Sequence, residues 1–167
     1  RDQNDIDWDK VKKKLKSDIK ENLYYTGKEW QYLNIKPCVI VEKLLLDENN
    51  EIPSDYKLHC FNGKVEIIQV DTARYTNHER HLHDRNWELI NCQWRIKSGK
   101  GVEKPSNINE MIKVAEKLSE EFIFARIDLY SIRNKIYFGE ITFHPSSGFS
   151  PFKPLEYDYI FGKKLKI

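Results

Sequence analysis

The dipeptide Asn62-Gly63 constrains this chain more than any other pair of residues. Both tolerate positive φ, and they sit at the centre of the run 56–71, so the segment closes into a tight two-stranded hairpin. In that register Leu58 faces Ile67 and Cys60 faces Val65, while Asp55, Lys57, His59 and Glu66 occupy the other face. One side of the hairpin packs, and the other is free to do chemistry.

A second hairpin is expected from residues 123–131 and 135–143, joined at Arg133-Asn134. Alternation puts Ala125, Ile127, Leu129, Tyr137, Ile141 and Phe143 on one set of faces and Arg126, Asp128, Tyr130, Phe138, Glu140 and Thr142 on the other. A strict two-residue turn would place Asp128 and Glu140 on opposite faces, whereas a bulge would bring them together. Together, the two carboxylates suit a hard cation such as magnesium, which takes oxygen ligands and completes its shell with substrate phosphates. The competing reading is a plain cross-strand ion pair between Arg126 and Glu140.

Elsewhere the pattern is helical or irregular. Trp8, Val11, Leu15, Ile19 and Leu23 form one stripe, with Asp5 or Asp7 placed to cap and KKKLK on a solvated face. Residues 37–46 are a continuous apolar run, read as a strand buried on both faces and interrupted at Glu42. Residues 72–104 read as a polar functional loop with a short strand within 87–96. Asn107 and Glu110 resemble a capping box opening a helix whose stripe is Met111, Val114, Leu118 and Phe122, and a short helix is expected at 155–165. The sum is an α+β fold: a largely antiparallel sheet built from two hairpins, with helices on one face.

With 167 residues the chain is expected to be a single domain, 1–167. No apolar run approaches the ~18 residues of a membrane span. A net charge of +2 gives no field that would recruit nucleic acid. Cys38, Cys60 and Cys92 are odd in number and widely spaced, which argues against a disulfide framework and fits a reducing cytoplasm. His78, His81 and His83 with Asp84 lack a familiar zinc spacing and have no nearby cysteine, and His59 and His144 read as packed or hydrogen-bonded. Arg74 and Arg80 lie in a donor-dense loop and are candidates for clamping carboxylate or phosphate.

The pattern ARIDLY, a short turn, then KIYFGEITFHPSSGF resembles the C-terminal metal-binding hairpin of the ATP-grasp superfamily. VIVEKLLLDENNEIPSDYKLHCFNGKVEIIQVD is similar to that superfamily's adenine-hinge strand and following hairpin. With GKEWQYLNIKP, DTARYTNHERHLHD and FHPSSGFSPF, the run from about Trp30 onward looks most like the TupA-like ATP-grasp proteins, associated with teichuronopeptide and capsular polysaccharide biosynthesis.

The resemblance implies an ATP-grasp-like fold with ATP and Mg2+ as cofactors. Asp128 and Glu140 match the magnesium ligands, and Thr142 stands where asparagine is usual. Arg126 matches the arginine that stabilises phosphoryl charge, with Arg74 as a further catalytic candidate. Glu42, Lys43, Leu44 and Leu45 match the hinge that holds adenine through backbone groups. Asp55 sits where an acid meets the ribose, and Lys57 where a phosphate is reached. The implied reaction is carboxylate-amine ligation through an acyl phosphate. The implied partners are a nucleotide, a carboxylate-bearing sugar or polysaccharide acceptor, and an amine donor. Gly27 is alone before the hinge, so the chain reads as the C-terminal portion of an ATP-grasp unit: a helical lead-in at 1–36, then hinge strand and hairpins at 37–167. A missing N-terminal lobe of the same protein would supply the phosphate cradle, and the fragment alone is expected to bind ATP poorly. The alternative is a non-catalytic carbohydrate-binding or assembly module on the same fold, whose aromatics would stack on sugars.

Overall fold

The computed structural model describes residues 6–72 and 77–167, and the chain forms two compact units, Arg1–Leu44 and Leu45–Ile167. In the first, α1 (Trp8–Asp18) starts where Asp7 accepts a hydrogen bond from the Lys10 amide at 3.0 Å, and none of its residues is buried. Asn22 caps α2 (Leu23–Gly27) by accepting from the Tyr24 amide, and Lys28 ends it in the left-handed region.

The expected strand at 37–46 does not form. No ladder among the described residues includes it, and Ile40 and Val41 are 77% and 90% exposed. An apolar run becomes a strand only where another segment meets its backbone groups, and the ladders of the sheet all belong to other segments.

The second unit is built on a five-stranded antiparallel sheet, in the order β3 (Glu79–His83), β2 (Lys64–Thr72), β1 (Asp55–Phe61), β5 (Phe124–Ile132), β6 (Lys135–Thr142). Asn62 and Gly63 close β1–β2 with φ of 49° and 73°, as their chemistry dictates. Cys60 pairs with Val65 as expected, but Leu58 pairs with Ile68 rather than Ile67, because a bulge at Glu66 shifts the register between His59 and Cys60. The bulge leaves Asp55, Lys57 and His59 on one face and sets Ile67 beside them.

The opposite face is apolar. Leu58, Cys60, Val65, Ile68, Val70, Ala125, Ile127 and Leu129 pack beneath α3 (Ile108–Ser119). That helix buries Ile108, Met111, Ile112, Ala115 and Ser119, whereas Val114, Leu118 and Phe122 of the expected stripe are 36–38% exposed. Small side chains let the helix lie close to the sheet, so the inner row is set by Ala115 and Ser119 rather than by the bulkiest residues. The expected capping box is absent too, since the Asn107 side chain makes no cap bond and instead accepts from Ser131 Oγ at 3.0 Å.

A second cluster joins Phe61, Ile67 and Leu82 to Cys92, Trp94 of the short β4 (Gln93–Trp94) and Phe161 of α4 (Glu156–Gly162). Strand β4 pairs with β7 (Phe152–Lys153). Phe61 and Ile67 belong to the polar face, so this cluster walls one end of it. The three cysteines are free, and burial raises the Cys60 and Cys92 thiols to about 11 and 12, which leaves them unreactive.

Candidate functional site

The last hairpin decides whether a site exists. Arg133 and Asn134, with φ of 51° and 59°, form the turn, and Leu129 pairs with Phe138 as strict two-residue counting requires. Beyond that pair the register shifts, so Asp128 meets Glu140 and Arg126 meets Thr142. Gly139 is the extra residue. A Cβ there would lie 3.1 Å from the Asp128 carbonyl oxygen and 3.2 Å from Tyr130 Cε2, so the strands close up only because it has none. Strict counting on the turn side of the shift sets Tyr137 opposite Tyr130 and Phe138 opposite Leu129, the reverse of the faces expected of Tyr137 and Phe138.

Ladders on both sides of β1 then align functional residues across the sheet. Gln69, Lys57, Asp128 and Glu140 form one cross-strand row. Ile67, His59, Arg126 and Thr142 form the next, and Asp71, Asp55 and Tyr130 the one before. Lys57 Nζ bridges Asp55 Oδ2 at 2.7 Å and Asp128 Oδ2, and all three residues are at most 7% exposed. Arg126 holds Asp128 in a fork, Nε to Oδ1 at 2.7 Å and Nη2 to Oδ2 at 2.8 Å, and the same Nη2 reaches Glu140 Oε1 at 2.8 Å and Thr142 Oγ1 at 2.9 Å. Thr142 in turn donates to Glu140 Oε1 at 3.0 Å. Burial alone would lower the Arg126 pKa, but hydrogen bonding and charge from Asp128, with Glu140 and Asp55, outweigh it and raise the value.

Sequence reasoning missed a second network beside this one. Arg80 grips Asp71, Nε to Oδ1 at 2.7 Å and Nη2 to Oδ2 at 2.9 Å, and donates to the Trp94 carbonyl. Gln69 Nε2 donates to Asp71 Oδ2, so Gln69 presents Oε1 to His59, 3.1 Å away, and His59 must carry its proton on Nε2. Burial, then the Arg126 charge, lowers the His59 pKa to about 3, so the ring is neutral. The i, i+2 spacing of Gln69 and Asp71 on β2 is the signal that would have found this chain. Arg80 is consumed by it, which corrects its reading as a clamp.

Asp55, expected near a ribose, lies in the interior of the sheet. It is 2% exposed, and its Oδ2 lies 2.7 Å from Lys57 Nζ, for which it serves as a counter-ion. Arg74 lies outside the described residues. Glu42, Lys43 and Leu44 belong to the first unit and Leu45 to the second. The histidines have other partners: His81 bonds Thr72 Oγ1 and the Gly101 amide, while His83 stacks on Trp87 with ring centroids 4.4 Å apart. No group of three or more His, Cys, Asp or Glu arranged for a metal occurs among the described residues. Asp128, Glu140 and Thr142 offer two carboxylates and a hydroxyl, an all-oxygen partial shell that suits magnesium, which draws its remaining ligands from phosphate and water.

The family model described as TupA-like ATPgrasp matches residues 1–166. The chain belongs to the TupA-like ATP-grasp family. No curated protein and no solved structure matches it. Membership as a TupA-like ATP-grasp chain accords with the α+β architecture and the antiparallel sheet. Among the described residues of this ATP-grasp chain, no helix is long and apolar enough to cross a membrane.

Proposed function

We propose that the chain carries the metal and phosphate half of an ATP-dependent carboxylate-amine ligase acting in cell-surface polysaccharide or teichuronopeptide synthesis. The observation that carries this reading is the row Lys57–Asp128–Glu140 with Arg126 across it. The cluster joins three carboxylates (Asp55, Asp128, Glu140) to two cations (Lys57, Arg126), and it opens to solvent at Glu140, whose side chain is 61% exposed.

Such a cluster accepts a divalent cation together with a polyphosphate. Asp128, Glu140 and Thr142 would hold Mg2+, which when bound neutralises charge on the phosphate oxygens. Lys57 and Arg126 supply fixed positive charge toward the transferring group, and Asp55 holds the Lys57 ammonium in place. Glu42, Lys43, Leu44 and Leu45 are proposed for adenine, through backbone groups. In the chemistry, an acceptor carboxylate oxygen attacks the γ-phosphorus and ADP leaves. The donor amine then attacks the acyl carbon of the resulting acyl phosphate, forming an amide and releasing phosphate and a proton.

Thermal unfolding of the full-length protein tests this. Mg-ATP should raise the midpoint more than either component alone, and Asp128→Asn should abolish the increment. An unchanged midpoint in the wild-type protein would remove the nucleotide reading.

A further inference from the structure

The position between Asp128 and Glu140 is filled by the chain itself. Arg126 Nη2 lies 2.8 Å from Asp128 Oδ2 and 2.8 Å from Glu140 Oε1. Its side chain is 12% exposed, whereas that of Glu140 is 61% exposed. The guanidinium is therefore anchored on buried Asp128 through Nε and Nη2 together, and touches exposed Glu140 through Nη2 alone. The strengths of these two attachments differ. A forked bond between buried partners is held in low dielectric, while a single contact to a solvated carboxylate exchanges readily with water or with another cation.

Building on the metal reading above, we infer that Arg126 is a displaceable stand-in for the divalent cation, holding Asp128 and Glu140 together without metal and ceding Glu140 when metal enters. Lys57 does not move in this exchange, because Asp55 and Asp128 hold it from both sides in the interior. Displacement frees Nη2 of a carboxylate partner at the moment a new positive charge arrives beside it. The guanidinium then has reason to turn toward incoming phosphate, so metal without polyphosphate gains little and binds weakly. Metal and nucleotide are taken up together, and the arginine rather than a moving loop couples them.

The test is Mn2+ binding without nucleotide, followed by the loss of free-ion paramagnetic resonance signal. Arg126→Lys keeps the charge but replaces the planar fork by one ammonium that cannot reproduce the Asp128 fork and the Glu140 contact together. It should bind Mn2+ about tenfold more tightly than the wild-type chain, a difference of roughly 1.4 kcal/mol. Arg126→Met should bind more tightly still, and adding Glu140→Gln to either should return affinity to the wild-type level. If Arg126→Lys matches the wild type and only Arg126→Met tightens, the arginine acts by charge alone and the stand-in role is wrong. If no variant tightens while Asp128→Asn still abolishes wild-type Mn2+ binding, the inference fails and the metal reading survives. If neither wild type nor variants bind Mn2+ at all, both fall. Circular dichroism of each variant separates altered binding from misfolding.

Discussion

Gly139 packs its α-carbon against the backbone of Asp128 closely enough that an added methyl group would stand 3.1 Å from the carbonyl oxygen. The neighbour is backbone and cannot swing aside. Gly139→Ala should therefore cost about 1 kcal/mol and Gly139→Val about 2–3 kcal/mol in overpacking. Deleting the residue should do something different in kind: strict counting then sets Glu140 directly opposite Asp128, so the pairing and the shared face survive without the bulge. Denaturant midpoints of the two substitutions, together with retained Mn2+ binding in the deletion, check this.

Lys57 Nζ lies 2.7 Å from Asp55 Oδ2, and it shares Asp128 with Arg126. Lys57→Met leaves two buried carboxylates closer to net negative charge, and should lower stability by roughly 3–5 kcal/mol. Adding Asp55→Asn removes one of those charges and should restore at least 1 kcal/mol, a coupling that a double-mutant cycle in urea would read directly. Simple additivity of the two substitutions would show that Lys57 and Asp55 do not act as a pair.

Acid should destabilise the fold in a defined window. Burial, then the neighbouring His81 charge, lowers the His83 pKa to about 4, and burial with Arg126 lowers that of His59 to about 3. Both values lie below the unfolded value of about 6.5, so from pH 6.5 downward the unfolded chain takes up protons that the folded chain refuses. Stability present above pH 6.5 is lost toward pH 4, and for His59 toward pH 3, at on the order of 1 kcal/mol per pH unit per histidine. His83→Gln, isosteric in part and uncharged, should flatten the profile between pH 6.5 and 4. An unchanged slope in unfolding free energy against pH would contradict the assignment.

Arg133 holds a left-handed conformation at φ 51° in the tight turn between β5 and β6. Asparagine or glycine adopts it more cheaply, so Arg133→Gly should raise stability by about 0.5 kcal/mol without touching the site. The thermal midpoint and unchanged Mn2+ binding report on this.

Local chemistry made the hairpins legible, because Asn62-Gly63 and Arg133-Asn134 specify their own turns. Register was not legible at the same level. The two bulges, at Glu66 and Gly139, arise from contacts between strands, and no property of Glu66 in the linear sequence marks it as unpaired. The chain Arg80–Asp71–Gln69–His59 was hidden for a similar reason: Gln69 and Asp71 share β2, but Arg80 and His59 lie on other strands, and only pairing brings those to them. The apolar run at 37–46 shows the converse error, since hydrophobicity states what a segment prefers but does not provide the partner that satisfies it.

Strand β1 is hydrogen-bonded on both sides, whereas among the described residues β6 is held only by β5. The site therefore straddles a gradient of protection. Amide protons around Lys57 and Asp128 should exchange with solvent only through global opening, and those around Glu140 through local fraying of an edge. The charges that must not move are anchored in the most slowly exchanging part of the sheet, and the carboxylate that must let one partner go for another is carried on its margin.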